Sequence, residues 1–151
     1  YNIIVRPHPK SLNANKNILK ILSKKNFFID TKPDRKLGEL FKVSDLALCD
    51  YGETIFSAIY LEKPVILLNT NKYTEFVKQQ INNLSLDISL RKEIINLNLE
   101  DANNEIKIFF SKASDIEYVN LIKKLKNNYF GDKKNYSTTE EIRNFILHLL
   151  N

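Results

Sequence analysis

The sequence predicts an α/β fold in which a parallel sheet is flanked by helices and followed by a helical C-terminal region. Short apolar segments alternate with stretches whose apolar residues recur at helical spacing, which indicates successive strand–helix–strand units. Residues 46–49 and 65–68 are continuous apolar runs, as expected of parallel strands covered on both faces. With 151 residues and 43% hydrophobic content, the chain is large enough to form one domain with a buried core. These features together are typical of a Rossmann-like sheet.

The first predicted elements are two strands separated by a helix. Residues 2–5 form an apolar strand that ends at Arg6-Pro7-His8-Pro9, because proline cannot continue a central strand. Apolar residues at helical spacing predict a helix over residues 12–24, and residues 27–29 form the next strand. A short helix follows over residues 33–41.

The next elements are a strand over residues 46–49, a helix over 54–61 and a strand over 65–68. Beyond residue 71 the pattern becomes mostly helical. The remaining predictions are, in order, helices over 73–82, 86–96, 102–111 and 116–127, a loop over 129–134 and a last helix to residue 150, with 106–110 as an alternative short strand. Ser137 followed by Glu140 has capping-box spacing and indicates where the last helix begins.

Charge and composition indicate which kinds of partner and which location fit this protein. The net charge of +5 suits an anionic partner such as a nucleotide, a phosphorylated substrate or a membrane surface. The densest basic run, residues 121–126, has the spacing of an amphipathic helix, so we expect no nucleic-acid partner. A single cysteine, Cys49, lies in an apolar strand and is expected to be a buried small hydrophobe. No signal peptide or membrane-length apolar run is visible, and a cytoplasmic location is expected.

The turn after the strand at 46–49 has the order of an anion site. Gly52 permits close approach to the backbone, and the first amides of the following helix lack intrahelical acceptors. Thr54 is the best side-chain donor to a phosphate. Asp50 either accepts from a sugar hydroxyl or bonds its own turn. Glu53 either contacts substrate hydroxyls or complements the helix dipole.

The Arg6-Pro7-His8-Pro9 segment is the second candidate site, because ligands of open parallel sheets collect at the carboxyl ends of the strands. His8 either donates to a phosphate oxygen and moves a proton, or caps a turn. Arg6 either forks onto a phosphate or pairs with Asp50 or Asp45 as structural support. No spacing typical of a metal site, a P-loop or a nucleophile motif is present, so we expect neither metal nor cofactor.

These motifs, with Ser44-Asp45-Leu46 and Lys63-Pro64-Val65-Ile66, resemble the CDP-glycerol glycerophosphotransferase family of bacterial teichoic-acid and capsule polymerases. The resemblance implies a C-terminal, donor-binding half of a GT-B fold. It implies that His8 contacts the phosphate of the donor or the reacting glycerol phosphate, and that residues 52–54 hold the pyrophosphate. Asp132 resembles the aspartate of a closing aspartate-glycine pair, although Lys133 follows it here.

Other departures from the family pattern concern the donor. Gly52 and Glu53 stand where the family usually has two serines, and Ser57 stands where it usually has an aspartate. The donor is therefore expected to be CDP-glycerol or another nucleotide-activated sugar or polyol. The chain lacks methionine, and the family's first strand–helix unit and N-terminal acceptor domain have no counterpart in it. We therefore expect residues 1–151 to be one donor-binding domain from a longer enzyme, inactive when isolated.

Two other function classes remain open from the sequence. One is a non-catalytic Rossmann-like module for protein or membrane association. The basic run at 121–126 and the Gly52-Glu53 replacement favour this class. The other is a relative of nucleotide-sugar epimerases. An anionic membrane surface is a possible partner under the leading hypothesis too, with the protein peripheral at the inner face of the cell membrane.

Overall fold

The computed structural model describes residues 2–15, 17–50, 52, 54–70 and 86–131. Within them the fold is a mixed α/β arrangement of small parallel sheets flanked by helices, which confirms the predicted Rossmann-like class. The chain divides into two compact units, residues 1–36 and 37–151.

The first unit contains two short strands and two short helices. These are β1 (Ile4–Val5), α1 (Pro9–Ala14), α2 (Ile18–Ser23) and β2 (Phe28–Ile29). The strands pair in parallel, with Ile4 opposite Phe28 and Val5 opposite Ile29. The chain leaves β1 at the predicted prolines, and Pro9 begins α1, where its missing N–H costs no helical hydrogen bond.

The single helix predicted over residues 12–24 is wrong, because the helix is interrupted between Ala14 and Ile18. Asn15 adopts an extended backbone conformation, and its side-chain oxygen accepts a hydrogen bond from the Asn17 amide at 3.0 Å. An asparagine side chain that satisfies a nearby amide competes with the helical pattern, so the apolar spacing continues while the helix does not.

The second unit is built on a three-stranded parallel sheet. Its described elements are α3 (Leu37–Val43), β3 (Ala47–Cys49), α4 (Thr54–Tyr60), β4 (Val65–Asn69), α5 (Leu86–Arg91), β5 (Asn96–Asn98), α6 (Ala102–Ala113) and α7 (Ile116–Phe130). The strand order is β3-β4-β5, with Leu48 opposite Ile66 and Leu68 opposite Leu97.

The core of this unit lies around β4, whose Val65, Ile66 and Leu67 are fully buried. Helix α4 contributes Ile55 and Ile59, and the helices that follow the sheet complete the cluster, with Ile122 and Leu125 among their buried residues. Burial of such side chains is worth about 1.5–3 kcal/mol each, so this cluster is the main source of stability.

Two predictions in the second unit are wrong in instructive ways. The helix predicted over residues 86–96 ends at Arg91, and Asn96–Asn98 forms β5 instead. The side-chain amide of Asn96 donates to the Arg91 and Ile94 backbone carbonyls at 2.9 and 3.1 Å, which satisfies backbone oxygens at and after the helix end. The alternative strand over 106–110 lies inside α6, because Ile106, Phe110 and neighbouring apolar residues share a helical face.

Smaller differences concern element bounds and burial. Leu48 is 46% exposed between buried Ala47 and Cys49, so β3 is not covered on both faces as predicted. Tyr129 and Phe130 belong to α7 rather than to a loop. The predicted helix over 73–82 and everything predicted after Gly131 lie outside the described residues.

Candidate functional site

The described candidate residues follow two strands, one in each unit. Arg6 and His8 follow β1, whereas Asp50 and Gly52 follow β3 and Thr54 begins α4. The other two candidates, Glu53 and Asp132, lie outside the described residues. The two groups belong to different compact units.

His8 is the N-cap of α1. Its Nδ1 accepts a hydrogen bond from the Lys10 amide at 3.1 Å, and its side chain is exposed. The capping role that the sequence left open is therefore present. Because Nδ1 is the acceptor, the hydrogen of the neutral imidazole lies on Nε2, where it can be donated to a ligand oxygen. The cap and a phosphate contact use different atoms of one ring.

Arg6 pairs with Asp30, a partner that the sequence analysis did not propose. Arg6 Nη1 lies 2.5 Å from Asp30 Oδ2, and Arg35 Nη1 lies 3.0 Å from Asp30 Oδ1. The structural-support role that the sequence left open for Arg6 is therefore present, with Asp30 as the partner. Arg6 and Asp30 each follow one of two paired strands, and the Val5–Ile29 register, which the sequence alone does not give, places them side by side.

The charge of the protein is unevenly divided between the units. Residues 1–36 hold nine lysines and arginines against two aspartates, a net charge of +7, whereas residues 37–151 hold 14 basic and 16 acidic residues, a net charge of −2. The total of +5 therefore hides a strongly cationic first unit. Such a unit attracts anionic ligands, and the attraction weakens as salt concentration rises.

The turn after β3 contains a positive φ angle at Gly52, a backbone conformation that glycine readily adopts. Gly52 has a φ of +94°, a conformation that L side chains rarely adopt, and no described atom lies within 4 Å of where a Cβ would stand. The Ile55 amide donates to the Gly52 carbonyl at 3.3 Å, and Thr54 is half-buried. Asp50 is exposed and engaged in an interaction within the protein.

A second polar cluster, missed by sequence reasoning, lies at the end of β4 and along β5. Arg91 is buried, and its Nη1 donates to the Asn69 side-chain oxygen at 2.8 Å. The side-chain amide nitrogen of Asn69 in turn donates to the side-chain oxygens of Asn96 and Asn98, at 3.0 and 3.1 Å. The cluster satisfies polar groups across two strand ends and thereby fixes β5, whose asparagines have low strand propensity.

Cys49 is unsuited to nucleophilic chemistry. Burial, with the nearby charge of Asp50, raises the pKa of its thiol to about 12. The thiolate is the reactive form, so this side chain stays protonated and inert at neutral pH, as expected of a buried small hydrophobe.

The basic segment of α7 does not present an apolar face outward. Ile122 and Leu125 are buried in the core, and Lys126 is engaged with Glu62 at 2.6 Å. This hydrogen bond with Lys126 lowers the pKa of the Glu62 carboxyl. Within residues 121–126 the exposed side chains are therefore Lys123 and Lys124, without an exposed apolar residue beside them, which weakens the membrane-association hypothesis for this segment.

Two absences apply to the described part of the chain alone. None of its helices has the length and apolarity needed to cross a membrane. Nor do its histidines, cysteine and acidic residues form a group of three or more that could hold a metal ion.

A comparison with known families places both motif segments in one family. No curated protein and no solved structure gives a match to the chain. A sequence model described as CDP-Glycerol:Poly(glycerophosphate) glycerophosphotransferase matches residues 1–89, which is more than half of the chain and includes Arg6, His8 and the Gly52 turn. The chain belongs to the CDP-glycerol:poly(glycerophosphate) glycerophosphotransferase family.

Proposed function

We propose that this chain is the donor-binding part of a transferase with a GT-B fold. The enzyme would move glycerol phosphate, or a glycosyl unit, from a nucleotide diphosphate donor to a cell-surface polymer such as teichoic acid or capsule. The family match over residues 1–89 is the observation that carries the proposal. It spans both strand-end segments at which ligands of parallel sheets collect.

His8 supplies the first chemical support. Because Nδ1 accepts from the Lys10 backbone amide, the Nε2–H group is the donor that the neutral ring can offer to an oxygen outside the helix. A donor there stabilises charge that develops on a phosphate oxygen as the bond to the transferred group breaks. The cap fixes the ring against rotation, and the cap is therefore part of the proposed role.

The turn at Gly52 supplies the second support. Open space beside its Cα lets a pyrophosphate approach the backbone, and Thr54 adds a hydroxyl donor at the start of α4. We propose that these groups neutralise the leaving phosphate during a direct displacement. Because hydroxyls are fewer here than in the usual family pattern, the amides and Thr54 carry this task together, and the donor can differ from CDP-glycerol.

Calorimetric titration with CDP-glycerol, CDP and UDP tests the proposal. We expect at least one of these ligands, with CDP-glycerol first among them because of the family match, to bind in the millimolar range or tighter. The absence of heat and of NMR shifts near His8 and Gly52 for all three ligands at millimolar concentration would rule out donor binding by this chain.

Two variants separate the two tasks of His8. His8→Asn keeps a good N-cap acceptor but removes the imidazole, whereas His8→Ala removes both. We expect both variants to weaken CDP-glycerol binding by about tenfold, the loss of one hydrogen bond to a charged group. Wild-type affinity in His8→Asn would show that capping is the whole role of this residue.

The net charge of +7 on residues 1–36 also favours a second candidate function, peripheral association with an anionic membrane surface. Sedimentation with vesicles containing anionic lipid discriminates the two. Salt-sensitive vesicle binding without nucleotide binding would favour this candidate, and vesicle binding together with CDP-glycerol binding would fit a donor-binding enzyme at the inner face of the cell membrane.

A further inference from the structure

Asp30 lies between two arginines at the carboxyl ends of β1 and β2. Its carboxylate is the one charged group in the first unit that is fully buried, among the residues described there. Each oxygen takes one guanidinium, Oδ2 from Arg6 and Oδ1 from Arg35. The Asp30 amide also donates to the Val5 carbonyl at 2.9 Å, which ties the residue to β1.

Asp30 holds the guanidiniums of Arg6 and Arg35 in place but uses only part of their hydrogen-bond donors. Each has five N–H donors, and within the described residues each gives Asp30 an ion pair through Nη1 and has no other partner. Their side chains are 24% and 23% exposed, so each arginine is partly accessible to solvent. One carboxylate against two guanidiniums leaves a formal charge of +1 on the trio.

We infer that the guanidiniums of Arg6 and Arg35 together form a binding site for a phosphate group, and that the Asp30 carboxylate between them holds both in position. A phosphate offers several oxygens and up to two negative charges, which suits two forks better than a carboxylate does. Arginine presents these donors in a rigid plane, and the buried anchor keeps both planes in place before a ligand arrives. The inference adds Arg35, which no motif in the sequence indicated.

The source of the phosphate is either the diphosphate of a nucleotide donor or the terminal phosphate of a glycerophosphate acceptor. The first source rests on the proposed function, whereas the site itself does not. The surrounding unit, with its net charge of +7, attracts either ligand.

The chain contains only four arginines, Arg6, Arg35, Arg91 and Arg143, so the Nε–Hε region of its ¹⁵N spectrum has at most four signals. Titration with inorganic pyrophosphate should shift the Arg6 and Arg35 signals together along one saturating curve. Arg35→Gln should weaken this binding by about tenfold, and Arg35→Lys, which keeps the charge but loses the fork, by less.

Lys25→Gln is the matched control. Lys25 is exposed in the turn before β2, at the opposite end of the strand from Asp30, and its replacement removes the same single charge from the same unit. We expect the pyrophosphate affinity of this variant to stay within about twofold of wild type, because a distant exposed charge is screened. Equal weakening by Lys25→Gln and Arg35→Gln would overturn the site in favour of a general charge effect.

Other outcomes are equally decisive. Arg6 and Arg35 signals that stay unmoved by pyrophosphate overturn the inference, even if CDP-glycerol binds elsewhere and the proposed function stands. Pyrophosphate binding that depends on Arg35, without CDP-glycerol binding, supports the inference and counts against the proposed function. If Arg35→Gln does not fold, the wild-type shifts and Arg35→Lys carry the test. Competition by CDP or by sn-glycerol 3-phosphate then assigns the source of the phosphate.

Discussion

Residues 1–36 and residues 37–131 differ in what they bury. Every buried apolar side chain among the described residues lies between Leu40 and Leu125, whereas the one buried side chain described before Leu37 is the carboxylate of Asp30. The first unit carries a net charge of +7, and the second, taken to residue 151, carries −2. The second unit therefore provides most of the stability, and the first concentrates the positive charge to which we assign anionic-ligand binding in the proposed function.

The physical reason lies in the size of the elements. Two paired strands of two residues each cannot cover a core, and Ile4 and Phe28, which face each other across them, remain 38% and 57% exposed. Like charges concentrated in a small unit add mutual repulsion. Asp30 offsets part of that repulsion where the two strands end.

The same substitution in both units gives the largest expected contrast. Ile59→Ala removes a fully buried side chain from α4 and should lower the free energy of unfolding by about 2–5 kcal/mol. Ile21→Ala in α2 removes a side chain that is 58% exposed and should cost under about 0.5 kcal/mol. Urea denaturation measures both, and similar losses would break the division between the units.

A hydroxyl in the second unit should have the next largest effect. The Tyr118 hydroxyl donates to the Val65 carbonyl at 2.5 Å and accepts from the Ile95 amide at 3.1 Å, so it joins β4 to the segment before β5. Tyr118→Phe leaves both groups without this partner and should cost about 1–3 kcal/mol.

Tyr60→Phe is the control for this prediction, because Tyr60 is 46% exposed and its ring packs against Phe130. Its urea midpoint should stay close to wild type. A Tyr118→Phe variant as stable as Tyr60→Phe would mean that the buried hydroxyl contributes nothing to the sheet.

Helix caps give the smallest contrast. Asp115 Oδ1 accepts from the Glu117 amide at 2.9 Å and caps α7, which contributes Ile122 and Leu125 to the core. Asp115→Ala should cost about 1 kcal/mol, and Asp115→Asn, which keeps the acceptor, only a few tenths. His8→Ala removes the cap of α1, a helix without buried residues, and should change global stability by less than Asp115→Ala.

The alternation of strands and helices was predictable because it depends on local apolar spacing. β4 illustrates this: its continuous apolar run is a buried strand in the structure. β5 was not predictable in the same way, because Asn96 and Asn98 disfavour strands and pair with β4 through side-chain contacts that form only after folding. The helix break at Asn15 likewise depends on one side-chain hydrogen bond rather than on hydrophobic pattern.

The candidate site was predictable in position but not in its partners. The motif segments lie after β1 and β3, where the sequence placed them. The partner of Arg6 required the register between β1 and β2, and Arg35 was invisible because it stands in a turn without a motif. Long-range pairing thus determined what local patterns left open.

The most direct test of phosphate binding by the first unit and the Gly52 turn is a ¹H–¹⁵N spectrum of the protein titrated with CDP-glycerol. We predict that the largest amide shifts fall in residues 6–10, 30–35 and 52–55, while the amides of α6 and α7 change little. Largest shifts in α6 or α7, or an unchanged spectrum at millimolar ligand, would contradict the assignment of phosphate binding to the cationic first unit and the Gly52 turn.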